Sequence, residues 1–544
     1  MAPLKIRPGV RTLGALLLLA AALWALAVSQ HTLAGSYDDD GIYLQGAQSL
    51  AEGRSYRMLH LPSEPYQTKY PPLYPLLLSL LWRLGPAFPT NLPLLLAPGA
   101  LCAAAAAWLY ARLLQHMLGI SKWVAFGLCA AWLLNNQVAR FLSMAMTEMP
   151  FALCVAGALT LVEGERPRHA ALAGLVAGLG ALTRSIGITL PVGLTLWLCA
   201  RRRWRDAGLL LATFVVVMLP WWSWQAKALH ANGPLRSDVS YAYDIAYAAW
   251  FLSPLQELRV VFQNLVQSSL FWTMDLLPGC QPWLQDLVEA GGAALIVPWA
   301  LAVLAVALVL GGIVTLWWRV RHAAAWLVPV YVAVVLLWPF EPARFYLPIL
   351  PLLLGGALHL VATLWRSPRA PATVATVMAV VAVLHFVPWC WKATLQWDRG
   401  PMAGMARMLD VVRETTPAGS TLMITRGPMT SLYLGRKTLR LWPYDDPLIQ
   451  YQESRPLARF FVGIPYEQRK TTADRERARE VFRSARRHGV THAVAFPEMD
   501  LLGEWVFRYW ASQLALPVVR RDPERKIEIM TLEGMVLEHF LAGN

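Results

Sequence analysis

Three carboxylates in a row, Asp38, Asp39 and Asp40, stand just after the first hydrophobic run of the chain. Adjacent acids repel one another and a membrane surface disfavours anions, so a triplet there calls for a reason. A carboxylate partly desolvated at the interface has a raised pKa, which suits a general base. The plain alternative is an acidic linker that keeps the loop in water. Four more ionisable residues sit where apolar runs begin or end: Lys69 in KYPPLYP, Glu148 in MTEMPF, Arg184 in LTRSIG and Arg344 in EPARFYLP. Lys and Arg suit a phosphate, the arginine through parallel hydrogen bonds, and a carboxylate suits removal of a hydroxyl proton. A structural reading stands beside each. Lys69 and Arg184 would reach headgroups, Arg344 would pair with Glu341, and Glu148 would be an acid at a helix N-terminus. Jointly, on one face, these positions point to a site for a phosphate-bearing lipid and a hydroxyl that loses its proton. His31, His60 and His116 are scattered and no HExxH occurs, so no histidine metal site is indicated. A divalent ion held by the aspartates and Glu148 is the one candidate cofactor.

The elements that must position these residues follow from hydropathy. With 56% hydrophobic and 15% charged residues, apolar stretches come in runs too long for a soluble core. Thr12 to Ala34, about 34 Å as helix, follows Lys5, Arg7 and Arg11 and reads as a retained anchor. The first outside loop, 35–75, comes next, with Tyr43 to Gly53 as a short amphipathic helix ending at a glycine. Pro72 to Leu84 is too short to cross and is expected at the interface. Spans are expected at 92–114, 122–140, 148–163, 169–183, 186–200, 207–226, 293–318, 323–340, 344–364 and 372–391, making about 11 crossings with the first.

Charge sets the topology. With the N-terminus inside, the inner connections are Arg112–Lys122, Glu163–His169, Arg201–Asp206, Arg319–His322 and Arg366–Arg369, each with at least two basic residues. Counting Pro72–Leu84 as a crossing would put all of them outside. The net charge of +14 therefore belongs largely to topology, and nucleic acid is not indicated. The outside receives the acidic loop, Asn135–Glu148, Thr183–Ser185, a long loop 227–292, Pro339–Arg344 and everything after Trp391. Tyr241, Tyr243, Tyr247, Trp250, Trp272 and Trp283 in the long loop suit an interfacial belt, or stacking on sugar rings. Of six cysteines, Cys102, Cys129, Cys154 and Cys199 lie in apolar runs; Cys280 and Cys390 lie near outer ends, where an oxidising compartment would let them pair.

The chain divides into a membrane part, 1–392, and a soluble part, 393–544. In the latter Met402–Glu414 and Ala473–His488 read as helices, and Thr421–Thr425, Thr491–Phe496 and Ile527–Leu532 as strands. The fold class is thus a polytopic α-helical membrane protein with a small C-terminal α/β domain outside the cytoplasm. No Walker loop or Rossmann fingerprint appears there.

An acidic run after the first span, Tyr43 four residues beyond Asp39, a helix ending at Gly53 and then KYPPLY from Lys69 resemble the GT-C glycosyltransferases. The nearest branch is the bacterial one related to protein O-mannosyltransferases (family 39) and to the lipid A aminoarabinose transferase. MTEMPF, LTRSIG and RFYLPILP follow in that branch's order, so the resemblance covers residues 10–390. It implies a GT-C-like membrane enzyme at the outer face of a bacterial inner membrane, with its C-terminal domain periplasmic. The activity implied is transfer of a hexose or pentose from a polyprenyl-phosphate donor to a lipid, glycan or protein hydroxyl, usually with inversion. By spacing to Tyr43, Asp39 matches the family's catalytic acid and Asp40 its acidic neighbour, with Asp38 open because the run shifts by one. Lys69, Arg184 and Arg344 match phosphate-binding positions, Arg184 standing where the family usually has Lys, and Glu148 matches a second acidic position for the acceptor or a metal. The rival classes are a lipid-linked sugar transporter or flippase, which would carry midplane charges and inverted repeats, and an inactive membrane scaffold.

Overall fold

The structure is a computed structural model that describes residues 33–85, 87–232, 254–276, 292–320, 322–338, 343–365, 401–441, 475–496 and 501–542, with scattered positions at 284–287 and 372–384. Nearly all of the first span, Tyr241, Tyr243, Tyr247, Trp250, Cys280, Trp283, Glu341 and Cys390 lie outside the described residues. Among the described residues, Leu92–Leu118, Trp204–Asn232, Gly292–Arg319 and Arg344–Trp365 are long and apolar enough to cross a bilayer. Lys122–Leu133, Glu148–Val162, Ser185–Ala200 and Ala324–Leu337 are shorter apolar helices. The expected 122–140 span is broken at Asn135, whose side chain accepts from the Gln137 and Val138 amides and starts a new short helix, Asn136–Leu142.

Small residues let the helices close up, as they do where lipid gives no hydrophobic drive to pair. A Cβ at Gly174 of the Pro167–Thr183 helix would stand 2.3 Å from the Leu210 carbonyl oxygen. One at Gly312 would stand 2.6 Å from the backbone of Gly356. Glu148 opens and Glu163 closes the Glu148–Val162 helix, about 22 Å apart at helical rise. At the Glu163 end three of the expected inner connections meet. Arg203 bonds Asp206 (2.7 Å) and the Gly164 carbonyl (2.7 Å), and His322 Nε2 stands 3.3 Å from Glu163.

Within the stretch expected as a long loop, Pro254–Leu276 is a helix packed against Ile296–Thr315 and Ala324–Leu337. Trp272 belongs to neither an interfacial belt nor an open stacking face. It is buried, edge-on to Tyr346 at 5.3 Å, because the helix carries it into the bundle.

In the first loop the helix runs Asp39–Ala51, beginning four residues before the expected Tyr43. Asp39 and Asp40 therefore lie on its first turn, where free amides and the helix dipole favour anions. Gly53, at φ 73°, lies just past its end, and Leu73–Leu84 packs along it as a short helix. In the C-terminal part, strands β1 (Thr421–Ile424), β2 (Lys437–Leu439), β3 (Val490–Ala495), β4 (Val518–Asp522) and β5 (Ile527–Thr531) form one sheet in the order β2-β1-β3-β5-β4. β2, β1 and β3 are parallel, and β5 runs antiparallel to β3 and β4. Alternation along the strands fills both faces: Met405, Met408 and Val412 of Pro401–Thr415 cover one, and Phe482, Phe507 and Trp510 cover the other.

Candidate active site

Folding sends the three aspartates in three directions. Asp38 turns to the C-terminal part and pairs with Arg426 at 2.8 Å. Asp40 is fully buried and accepts from the Gly35 amide (2.7 Å) and the Tyr37 amide (3.0 Å), so it closes the loop on itself. Asp39 faces the membrane helices. Its Oδ2 receives Arg344 at 2.5 Å and its Oδ1 the Tyr70 hydroxyl at 2.5 Å, and 14% of its side chain stays accessible.

The pKa pattern differs from the expectation of a raised, base-like carboxylate. The raised acid is Asp40, which burial lifts to about 6 against the pull of the Gly35, Tyr37 and Gly41 amides and with a further push from Asp38. Burial also raises Asp39, but the Arg344 charge and then the Tyr70 hydrogen bond outweigh it and hold Asp39 below its ordinary value. Asp39 is therefore ionised and paired with Arg344.

A second pair lies beside the first. Glu148, fully buried, places Oε1 2.5 Å from an Arg184 terminal nitrogen, although neither of its oxygens makes an aligned hydrogen bond. Arg184 also donates to the Thr147 hydroxyl (3.1 Å), which shares a hydrogen bond with Tyr43 (3.2 Å). The two arginines approach one aromatic ring, with guanidinium carbons 5.1 Å (Arg184) and 5.4 Å (Arg344) from the centre of Phe345. Arg184 owes its place to an extended residue between the Pro167–Thr183 helix and a 3-10 turn, Ser185–Ile188. Arg344 lies in a 3-10 segment, Ala343–Ile349, leading into Leu350–Trp365.

Four of the expected residues thus converge: Asp39, Arg344, Glu148 and Arg184. Asp38 and Asp40 do not face this cluster. Lys69 is half-buried beside Tyr70 and bonded through its amide to Gln67 (2.8 Å). Tyr70, Thr147, Tyr43 and Phe345 join the cluster as well; uncharged, they carry no mark in the sequence beyond lying in or beside the motifs of the charged residues. Among the described residues no three His, Cys, Asp or Glu side chains converge as metal ligands. Asp39 and Glu148 each face a guanidinium, and that donor set does not fit a divalent cation.

A helical bundle with four helices of membrane-crossing length among the described residues, joined to a five-stranded α/β sheet, has the GT-C fold. That fold is shared with ArnT from Cupriavidus metallidurans, solved bound to undecaprenyl phosphate: TM-score 0.53 and 14% identity over 96% of this chain and 98% of that one. The apo form of the same protein matches at TM-score 0.53 and 13% identity, covering 96% of this chain and 98% of that chain. The archaeal oligosaccharyltransferase AglB from Archaeoglobus fulgidus, solved with an inhibitory peptide and a dolichol-phosphate, matches at TM-score 0.51 and 12% identity over 97% of this chain and 77% of that one. No family model and no curated protein matches the chain.

Proposed function

We propose that the protein is a membrane glycosyltransferase that moves a sugar from a polyprenyl-phosphate donor to a hydroxyl acceptor at the outer face of the cytoplasmic membrane, with inversion. The observation that carries this reading is the Asp39–Arg344 contact at 2.5 Å, in a bundle whose fold is shared with a protein solved bound to undecaprenyl phosphate. The acceptor hydroxyl oxygen attacks the anomeric carbon as its proton passes to Asp39. The carbon–oxygen bond to phosphate breaks, and its electron pair leaves on the polyprenyl phosphate. Phosphate leaves well without protonation, so one carboxylate suffices where glycoside hydrolysis uses two.

Arg344 serves both partners in turn. Before the donor arrives, its guanidinium neutralises Asp39. An incoming phosphate competes for the same donors, which loosens the hold on Asp39 and raises its basicity as the substrate seats. Arg184, fixed by Glu148 and Thr147, lies next along Phe345, and both cations meet the charge that develops on the departing phosphate. Lys69, on the loop that carries Tyr70, is a third phosphate-binding group in this reading.

The test is binding of polyprenyl phosphate, without sugar, to the purified protein in detergent. Arg344→Ala is expected to weaken it about tenfold or more, the worth of a charge-assisted contact. Unchanged affinity would remove Arg344 from the phosphate site.

A further inference from the structure

Asp38 has φ 64° and ψ −60°, with the Asp39 amide bonded back to the Tyr37 carbonyl at 2.9 Å. That is a three-residue γ-turn of the positive-φ kind, which is rare and strained for a residue bearing a Cβ. It lies immediately before Asp39, so the turn fixes the direction in which that side chain leaves the first turn of its helix. The Asp40 carboxylate ties the turn from within the loop through the Gly35 and Tyr37 amides, and a second contact reaches Asp38 from far along the chain. Arg426, at the start of the Gly427–Leu434 helix in the C-terminal part, grips the Asp38 carboxylate at 2.8 Å across 388 residues of sequence.

The surrounding contacts fit the two parts closely. The Tyr433 hydroxyl accepts from the Ala34 amide (3.1 Å), and Gln45 donates to the Pro428 carbonyl (3.1 Å). Gly35 and Gly41 admit this helix: a Cβ on either would stand 2.7 Å from Met429 or Pro428. Farther away, Lys437 binds the Leu59 carbonyl (2.6 Å) and Glu64, and the Thr438 amide donates to the His60 carbonyl (2.7 Å). The contact to Asp38 and the contacts around Lys437 thus involve different residues.

We propose that Arg426 is a positioning residue for transfer: by holding Asp38 in the strained turn, the C-terminal domain aims Asp39 at Arg344. This rests on the proposed glycosyltransfer. Glycine adopts φ 64° without help, so Asp38→Gly removes the need for the clamp. The experiment uses the full chain in proteoliposomes, assaying transfer from a polyprenyl-phosphate sugar together with hydrogen exchange of the 36–43 amides. Arg426→Ala is expected to lower kcat about tenfold or more with KM for the donor within about twofold, because the strained turn relaxes. Asp38→Gly keeps about a third or more of wild-type kcat, and the double variant recovers about to the Asp38→Gly level. Lys437→Ala, which loosens only the anchor, leaves kcat within about twofold. A double variant as slow as Arg426→Ala, or a Lys437→Ala defect equal to it, overturns the proposal. If the wild type transfers no sugar from such donors, the functional reading fails and the exchange data decide this one alone. Faster exchange at Tyr37–Asp39 in Arg426→Ala, restored in the double variant, upholds the clamp; unchanged exchange refutes it.

Discussion

Replacing Asp39 by Asn keeps the side chain's shape and removes its capacity to take a proton. The amide can still accept from Tyr70, but it cannot neutralise Arg344, which stands 2.5 Å from the native carboxylate. Losing a general base costs about 10²–10⁴ in rate, or about 3–5 kcal/mol of barrier. Breaking a buried ion pair costs about 3–5 kcal/mol of stability, but this pair keeps 14% and 22% side-chain exposure, and Glu148 also acts on Arg344. A stability loss of about 1–2 kcal/mol is therefore expected, small beside the catalytic loss. The assay is single-turnover transfer from a labelled polyprenyl-phosphate sugar in proteoliposomes, with thermal unfolding measured in parallel. Transfer above about a tenth of wild type in a folded variant would refute the base assignment.

Tyr70→Phe removes one of the groups that lower the Asp39 pKa, so the acidic limb of the pH–rate profile moves to higher pH with a few-fold loss of kcat. Glu148→Gln leaves Arg184, 7% exposed, without its counter-charge and lowers stability by about 3–5 kcal/mol, read as unfolding temperature in detergent. Asp40 titrates at about 6 when folded, above the unfolded value of about 3.9. Its contribution is present in full below about pH 4 and is lost as pH rises through about 6, so wild type loses stability relative to Asp40→Asn across that window. Gly174→Val drives a Cβ toward the Leu210 carbonyl and separates two helices, which should destabilise the bundle by about 1–3 kcal/mol and lower the yield of folded protein.

The charges of the site were legible in the sequence because a membrane tolerates few ionisable residues without a use for them. Glu148, Arg184 and Arg344 stand out against apolar runs for that reason, and hydropathy supplies most helices that carry them. The bearing of each aspartate was not legible. Three identical neighbours present the same local pattern, and Asp38 is turned away by Arg426, far along the chain. Hydropathy also hid the Pro254–Leu276 helix, whose Gln, Asn and Ser residues dilute its apolar face. Asn264 spends its amide on the Leu336 and Trp338 carbonyls, a partnership visible only when folded. In the C-terminal sheet, β1, β3 and β5 are apolar and readable. β2 has three residues, and β4 (VVRRD) is a largely exposed edge without alternation.

Mass spectrometry of polyprenyl-linked sugars and envelope glycans, in cells carrying the wild-type chain or Asp39→Asn, tests the central claim most directly. Base catalysis by Asp39 predicts a sugar adduct present only with the wild type, and the matching lipid-linked sugar accumulating with Asp39→Asn. Identical adducts and identical lipid pools in the two strains would contradict it.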